Sequence, residues 1–140
     1  MTKEEIMEMK PGPEFDILIT EMVMGWKRIA PVSWWKCGAT FALKNAFGTI
    51  KCPKCQISSY SQDIEAAWEV VEKMMSKEYR YVLKGNFRGN GKHWCGFDNQ
   101  EWVDHNPLFQ SPLCDTLPLA ICKAALIAIT QDKGEENYGQ

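Results

Sequence analysis

The chain of 140 residues is long enough for one domain with its own core and too short for two ordinary ones. Hydrophobic residues make up 45%, which excludes a disordered chain, and a net charge of -2 with a pI near 5.7 supplies no global field for nucleic acid. The longest apolar run, "LPLAICKAALIAI", is shorter than a membrane span and is interrupted by Lys123, so no membrane partner is expected.

The first element is a short helix in "TKEEIMEM", with Thr2 as N-cap and Glu5 three residues later completing a capping box. "PGP" at 11–13 breaks it. A second helix is predicted from Glu14 to Met24, with Phe15, Leu18, Ile19 and Met22 at helical spacing and Gly25 as the stop. Residues 26–57 read as irregular apart from two β-like runs, "ATFALK" and "FGTIKC". The third helix, 61–77, takes Ser61 as N-cap and places Ile64, Ala67, Trp68, Val71 and Met75 on one apolar stripe. "YRYVLK" then reads as a strand, "GNFRGNGK" as a hairpin loop, and "HWCGF" and "EWVDH" as further strands. A proline-rich connector, "NPLFQSPLCDTLP", leads to the fourth helix at 117–130, apolar nearly all round and therefore expected in the middle of the domain. Residues 131–140 are polar and are expected to fray. The fold class is α+β, one domain over 1–140, with a cysteine-containing β-hairpin insert near 36–58.

"YSQDIEAAWEVVEKM" (60–74) and "LPLAICKAAL" (117–126) resemble the paired signatures of the phage ABA-sandwich domain, a family of small proteins of phages of Gram-positive bacteria. "GWKRIAP" after the second helix fits the same pattern, as does a tryptophan-bearing strand before the last helix. The resemblance covers roughly residues 3–130 and is weakest over 36–58. It implies a layered sandwich, helices packed around an antiparallel sheet, and a phage origin. It implies no catalytic mechanism. The charged N-terminus lacks the apolar run of a secretory signal, so the expected location is the host cytoplasm, with reduced thiols or metal ligands rather than disulfides.

"KCPKC" (51–55) offers Cys52 and Cys55 as half of a tetrahedral zinc site, with Cys37 as a third sulfur. A fourth ligand would come from Cys95, His93, His105 or Cys114, and zinc would then staple the insert without being catalytic. The competing reading is a metal-free hairpin. Cys122 sits in the apolar fourth helix and reads as core. No GxSxG, HExxH or HxH motif is present, and the single CxxC has no HxE upstream, so no enzyme is expected; a small nucleotide hydrolase is the enzymatic alternative.

Six tryptophans and four tyrosines exceed what a core of this size requires. Trp68 is spaced as core, whereas the other five tryptophans fall in loops or strands among cations. Rings interleaved with cations suit a flat, anionic ligand, and they equally suit an oligomer interface. The expected function is non-covalent sequestration of a nucleotide signal of bacterial immunity, of cyclic dinucleotide or cyclic ADP-ribose type, by a homo-oligomer. Trp26, Trp34, Trp35 and Trp94 would stack, Arg28, Arg88 and Lys92 would face phosphate, and Tyr60 and Ser61 would add hydrogen bonds from the exposed start of the third helix. The alternative is a protein that blocks a host protein through the same aromatic-rich surface.

Overall fold

A computed structural model describes residues 1–30, 38–85, 89–99 and 107–138, with side chains up to residue 131. Among these residues, four helices and two small three-stranded antiparallel sheets make a mixed α+β fold. Helix α1 (Lys3–Glu8) begins as its capping box predicts, the Thr2 hydroxyl accepting from the Glu5 N–H at 3.2 Å. Helix α2 (Pro13–Met22) starts on a proline in its first turn, where the missing N–H costs nothing, and Gly25 turns the chain out of it at φ +84°. Neither helix has a basic residue in its last turn. Lysines from elsewhere act there instead: Lys123 donates to the Met7 carbonyl and Lys77 to the Val23 carbonyl, placing positive charge at both negative helix ends.

Helix α4 (Leu117–Tyr138) continues past the expected end at Thr130. It lies against α1, α2, α3 and two strands of a sheet, as its all-round apolar surface requires. Ala120, Ala124, Ala125 and Ala128 are buried and let neighbours approach closely, while Ile121, Leu126 and Ile127 fill the space between them.

Strands β4 (Arg80–Lys84), β5 (Trp94–Asp98) and β6 (Phe109–Gln110) form the sheet on which α4 packs. Phe97 at its centre pairs with Tyr81 on one side and Phe109 on the other, and both phenylalanines are fully buried. The next residue back along β5 is Gly96, where an added Cβ would lie 2.6 Å from the Pro107 ring, so only glycine lets the ring settle there. Strand β6 falls inside the stretch read from sequence as a mere connector. The strand expected in "EWVDH" lies outside the described residues, as do residues 86–88 of the loop between β4 and β5.

Strands β1 (Lys27–Ile29), β2 (Ala42–Lys44) and β3 (Ile50–Lys51) form a second, separate sheet in the order β1-β2-β3. The β-hairpin expected near 36–58, apart from the main sheet, is present as β2–β3 and gains a third strand. The β2–β3 hairpin finds its third strand in β1, immediately after α2, rather than joining β4–β6. Three residues, Lys-Arg-Ile, carry too little alternation to announce β1 as a strand.

Helix α3 (Ile64–Ser76) corrects two expectations. Its N-cap is Asp63, whose carboxylate accepts from the Glu65 N–H at 3.1 Å, and not Ser61. Its buried face is Ala66, Ala67, Val70, Val71 and Met74, while Ile64, Trp68 and Met75 are exposed. The apolar arc is wider than one face, so periodicity alone allows two phases, and close packing against α4 selects the phase with two alanines. Trp68, expected as core, is 38% exposed. Trp68→Ala should therefore cost about 1–2 kcal/mol in urea unfolding, well short of the loss a core tryptophan would give. A loss above about 3 kcal/mol would put the ring back in the core.

Candidate functional site

The densest gathering of cations and rings is on the β1–β3 sheet. Trp26 leads into β1, held by its N–H to the Thr20 carbonyl at 3.0 Å, and its half-buried ring lies 4.7 Å from the Lys51 ammonium. Arg28 sits 4.0 Å over the Phe41 ring and donates through Nε and Nη2 to Glu21 Oε1 at 3.0 and 2.7 Å. Arg28 and Lys51 both lie in register with Leu43, so they share one face of the sheet. On the opposite face Lys27 lies directly across from Lys44. Like charges in cross-strand positions repel, so this pair carries a cost that an anion between them would remove. Both lysines line, with Arg28, Gly25, Ile29, Asn45 and Ala46, a cleft of about 470 Å³.

Two features of this region escaped the sequence reading. Residues 22–62 hold six cations (Lys27, Arg28, Lys36, Lys44, Lys51 and Lys54) and no acid, which leaves the rest of the chain with a net charge of -8. Whole-chain charge conceals this; a running local charge reveals it. The second is Phe47 at the tip of the β2–β3 hairpin, 93% exposed. Its position is fixed, because Asn45 Oδ1 accepts from the Phe47 and Thr49 N–H groups at 3.0 and 2.9 Å, and Gly48 supplies φ +87°.

The other predicted ligand residues fall elsewhere. Tyr60 and Ser61 are buried, not exposed. The Ser61 N–H donates to Asp16 Oδ1 at 2.8 Å, and Ser61 Oγ accepts from the Gly12 N–H at 3.0 Å, so Ser61 ties the start of α2 to the approach to α3. Burial raises both the Asp16 carboxyl and the Tyr60 phenol above their ordinary ranges. Lys92 pairs with Asp115, whose carboxyl the lysine lowers, so its charge already has a partner. Trp94 is half-buried on β5 beside Lys84, whose ammonium is 5.5 Å from its ring, in the other sheet from Trp26 and Arg28. Trp34, Trp35 and Arg88 lie outside the described residues.

"KCPKC" is a tight turn after β3. The Cys52 N–H donates to Gln56 Oε1 at 2.7 Å and the Gln56 N–H returns to the Cys52 carbonyl at 3.2 Å. Cys52 is buried and Cys55 exposed. Cys37 lies outside the described residues, and among the described ones no three His, Cys, Asp or Glu side chains are grouped to hold a metal ion. The other described thiols are core: burial pushes Cys95 and Cys122 far above the ordinary thiol range, which suppresses the nucleophilic thiolate. Iodoacetamide at mild alkaline pH should therefore modify Cys55 at least about a hundredfold faster than Cys95 or Cys122, read by peptide mass spectrometry. Equal rates would mean that the buried assignment of those thiols is wrong.

Four helices around two small antiparallel sheets define, among the described residues, a small domain of mixed α+β sandwich type. The chain belongs to the phage ABA sandwich domain family, whose model matches residues 17–126. No curated protein and no solved structure matches it. The family is not one of known enzymes, and no helix among the described residues is long and apolar enough to cross a membrane.

Proposed function

We propose that this phage protein binds an anionic, nucleotide-like ligand on the β1–β3 sheet and holds it without turnover, so that a host immune signal such as a cyclic dinucleotide or cyclic ADP-ribose is withdrawn from its receptor. The observation that carries the reading is Lys27 across from Lys44 in a segment that holds no acid. A phosphate placed between them converts a repulsive pair into two charge-assisted contacts. Arg28 lines the same cleft and adds a third cation for phosphate, whereas Trp26 and Phe41 lie beside Lys51 and Arg28 toward the other face of the sheet. Sequestration needs affinity and no nucleophile, which accords with the burial that raises the Cys95 and Cys122 thiols. A homo-oligomer would enlarge such a cleft by placing a second sheet against the first.

Calorimetric titration against a panel of nucleotides tests this. At least one nucleotide should bind the wild type below about 10 μM. Lys27→Ala and Lys44→Ala should each weaken it about ten- to a hundredfold with little change in stability, since hydrogen bonds to charged groups contribute about 1.5–3 kcal/mol. The ligand should be recovered chemically intact by chromatography. Absence of any binding sinks the reading, and a hydrolysed ligand replaces it with an enzyme.

A further inference from the structure

The exposed apolar strip of α3 has no use in the core and none in the nucleotide reading. Ile64, Trp68 and Met75 follow one another along the helix at spacings of four and seven residues, 47%, 38% and 48% exposed. Trp68 is not loose: Tyr81 on β4 meets its ring edge-on, with centroids 5.6 Å apart and planes at 89°, and Tyr81 is itself 36% exposed. Four large exposed apolar side chains, one pair of them pre-ordered, lie on this side of α3 and β4. Strand β4 is also the outer strand of its sheet, so no other strand covers this side among the described residues.

Charge decides what fits there. Moving around α3 from the strip, at 100° per residue, the next positions are Glu72, Glu65, Ser76 and Glu69, all exposed. From the N-cap Asp63 to Glu72 the chain carries four acids and no cation, and Lys73, the cation within α3, lies about 180° around the helix from Ile64. A second copy of the chain is a poor occupant, because two such faces would set carboxylates against carboxylates. We infer that the α3 strip is a docking face for a protein partner that presents an amphipathic helix whose apolar stripe is bordered by lysine or arginine. The apolar stripe covers Ile64, Trp68, Met75 and Tyr81, with Trp68 as the central anchor, and the cations meet Glu65, Glu69 and Glu72 along the border. This face belongs to α3 and β4, whereas the proposed nucleotide site belongs to β1–β3, so either can hold without the other.

The test uses two fluorescently labelled model peptides with the same leucine stripe, one with lysine and one with glutamate on the polar face, followed by anisotropy on the full chain. The lysine peptide should bind at least about tenfold more tightly than the glutamate peptide. Glu69→Lys with Glu72→Lys should invert that order, and Trp68→Ala should weaken the lysine peptide about tenfold or more while circular dichroism shows the fold retained. Glu4→Lys with Glu8→Lys changes the net charge equally but lies on α1, and should alter binding less than about twofold. Equal loss in the α1 pair would mean simple attraction by net charge and would overturn the assignment. So would equal binding of the two peptides, or a wild-type dimer in sedimentation that Trp68→Ala converts to monomer.

Discussion

Replacing Phe97 with alanine is expected to lower the stability of the domain by about 3–5 kcal/mol, much of what a single domain possesses. The ring is fully buried at the middle of β5, in register with Tyr81 and Phe109, and β5 is a main contact of α4. The loss has two parts: the apolar area no longer removed from water, and the void left where sheet and helix cannot close together. Partial collapse is hindered here, because Phe109 is itself held edge-on by Tyr79 at 6.3 Å and the α4 surface below is rigid helix. Urea unfolding should show the midpoint fall while the slope is retained, since the same surface is exposed on unfolding. A loss below about 1.5 kcal/mol would mean that β4–β6 and α4 do not share one core.

The helices and the central place of α4 were legible because each rests on local chemistry: the Thr2 cap, Pro13 and Gly25 around α2, and the surface of 117–130, apolar nearly all round apart from Lys123. Helix α3 was legible as a helix but not in its rotation, since Trp68 and Val70 compete for the same interior and only the partner helix chooses between them. The second sheet was legible only as its β2–β3 hairpin, in "ATFALK" and "FGTIKC", and β1 was missed for a different reason. Its strands have three, three and two residues, so the pairing of β1 with β2 is a tertiary event with almost no local signature.

The candidate site was half legible. Trp26 and Arg28 were named from composition and stand together on the β1 side of the sheet, but Lys27, Lys44, Phe41 and Phe47 were passed over. A residue's partner across a strand pair is set by register, which composition does not contain. Tyr60 and Ser61 show the converse error. A hydroxyl next to an acid-rich helix start looks like a ligand donor, yet here both residues are interior and Ser61 is engaged with Gly12 and Asp16.

Asp16 provides the second large effect and a pH signature. Its carboxylate is buried and receives the Ser61 N–H, so Asp16→Ala leaves that donor unsatisfied and should cost about 2–3 kcal/mol near neutral pH. Burial nonetheless outweighs the hydrogen bonds from Ser61, and the folded carboxyl titrates above its ordinary 3.8. The folded chain then holds its proton at pH values where the unfolded chain has released it. Between the unfolded value and the raised folded one, native protein binds more protons, so this group's contribution to stability falls as pH rises. That direction is opposite to a carboxylate held in a salt bridge. Asp16→Asn keeps an oxygen for Ser61 and removes the titration, so wild type minus Asp16→Asn isolates the effect from the other acids. The difference should favour wild type most at acid pH and decline toward neutrality, then level off above the folded titration point. A difference that instead grows with rising pH would show that the anion is the preferred buried form, with Ser61 rather than desolvation dominating.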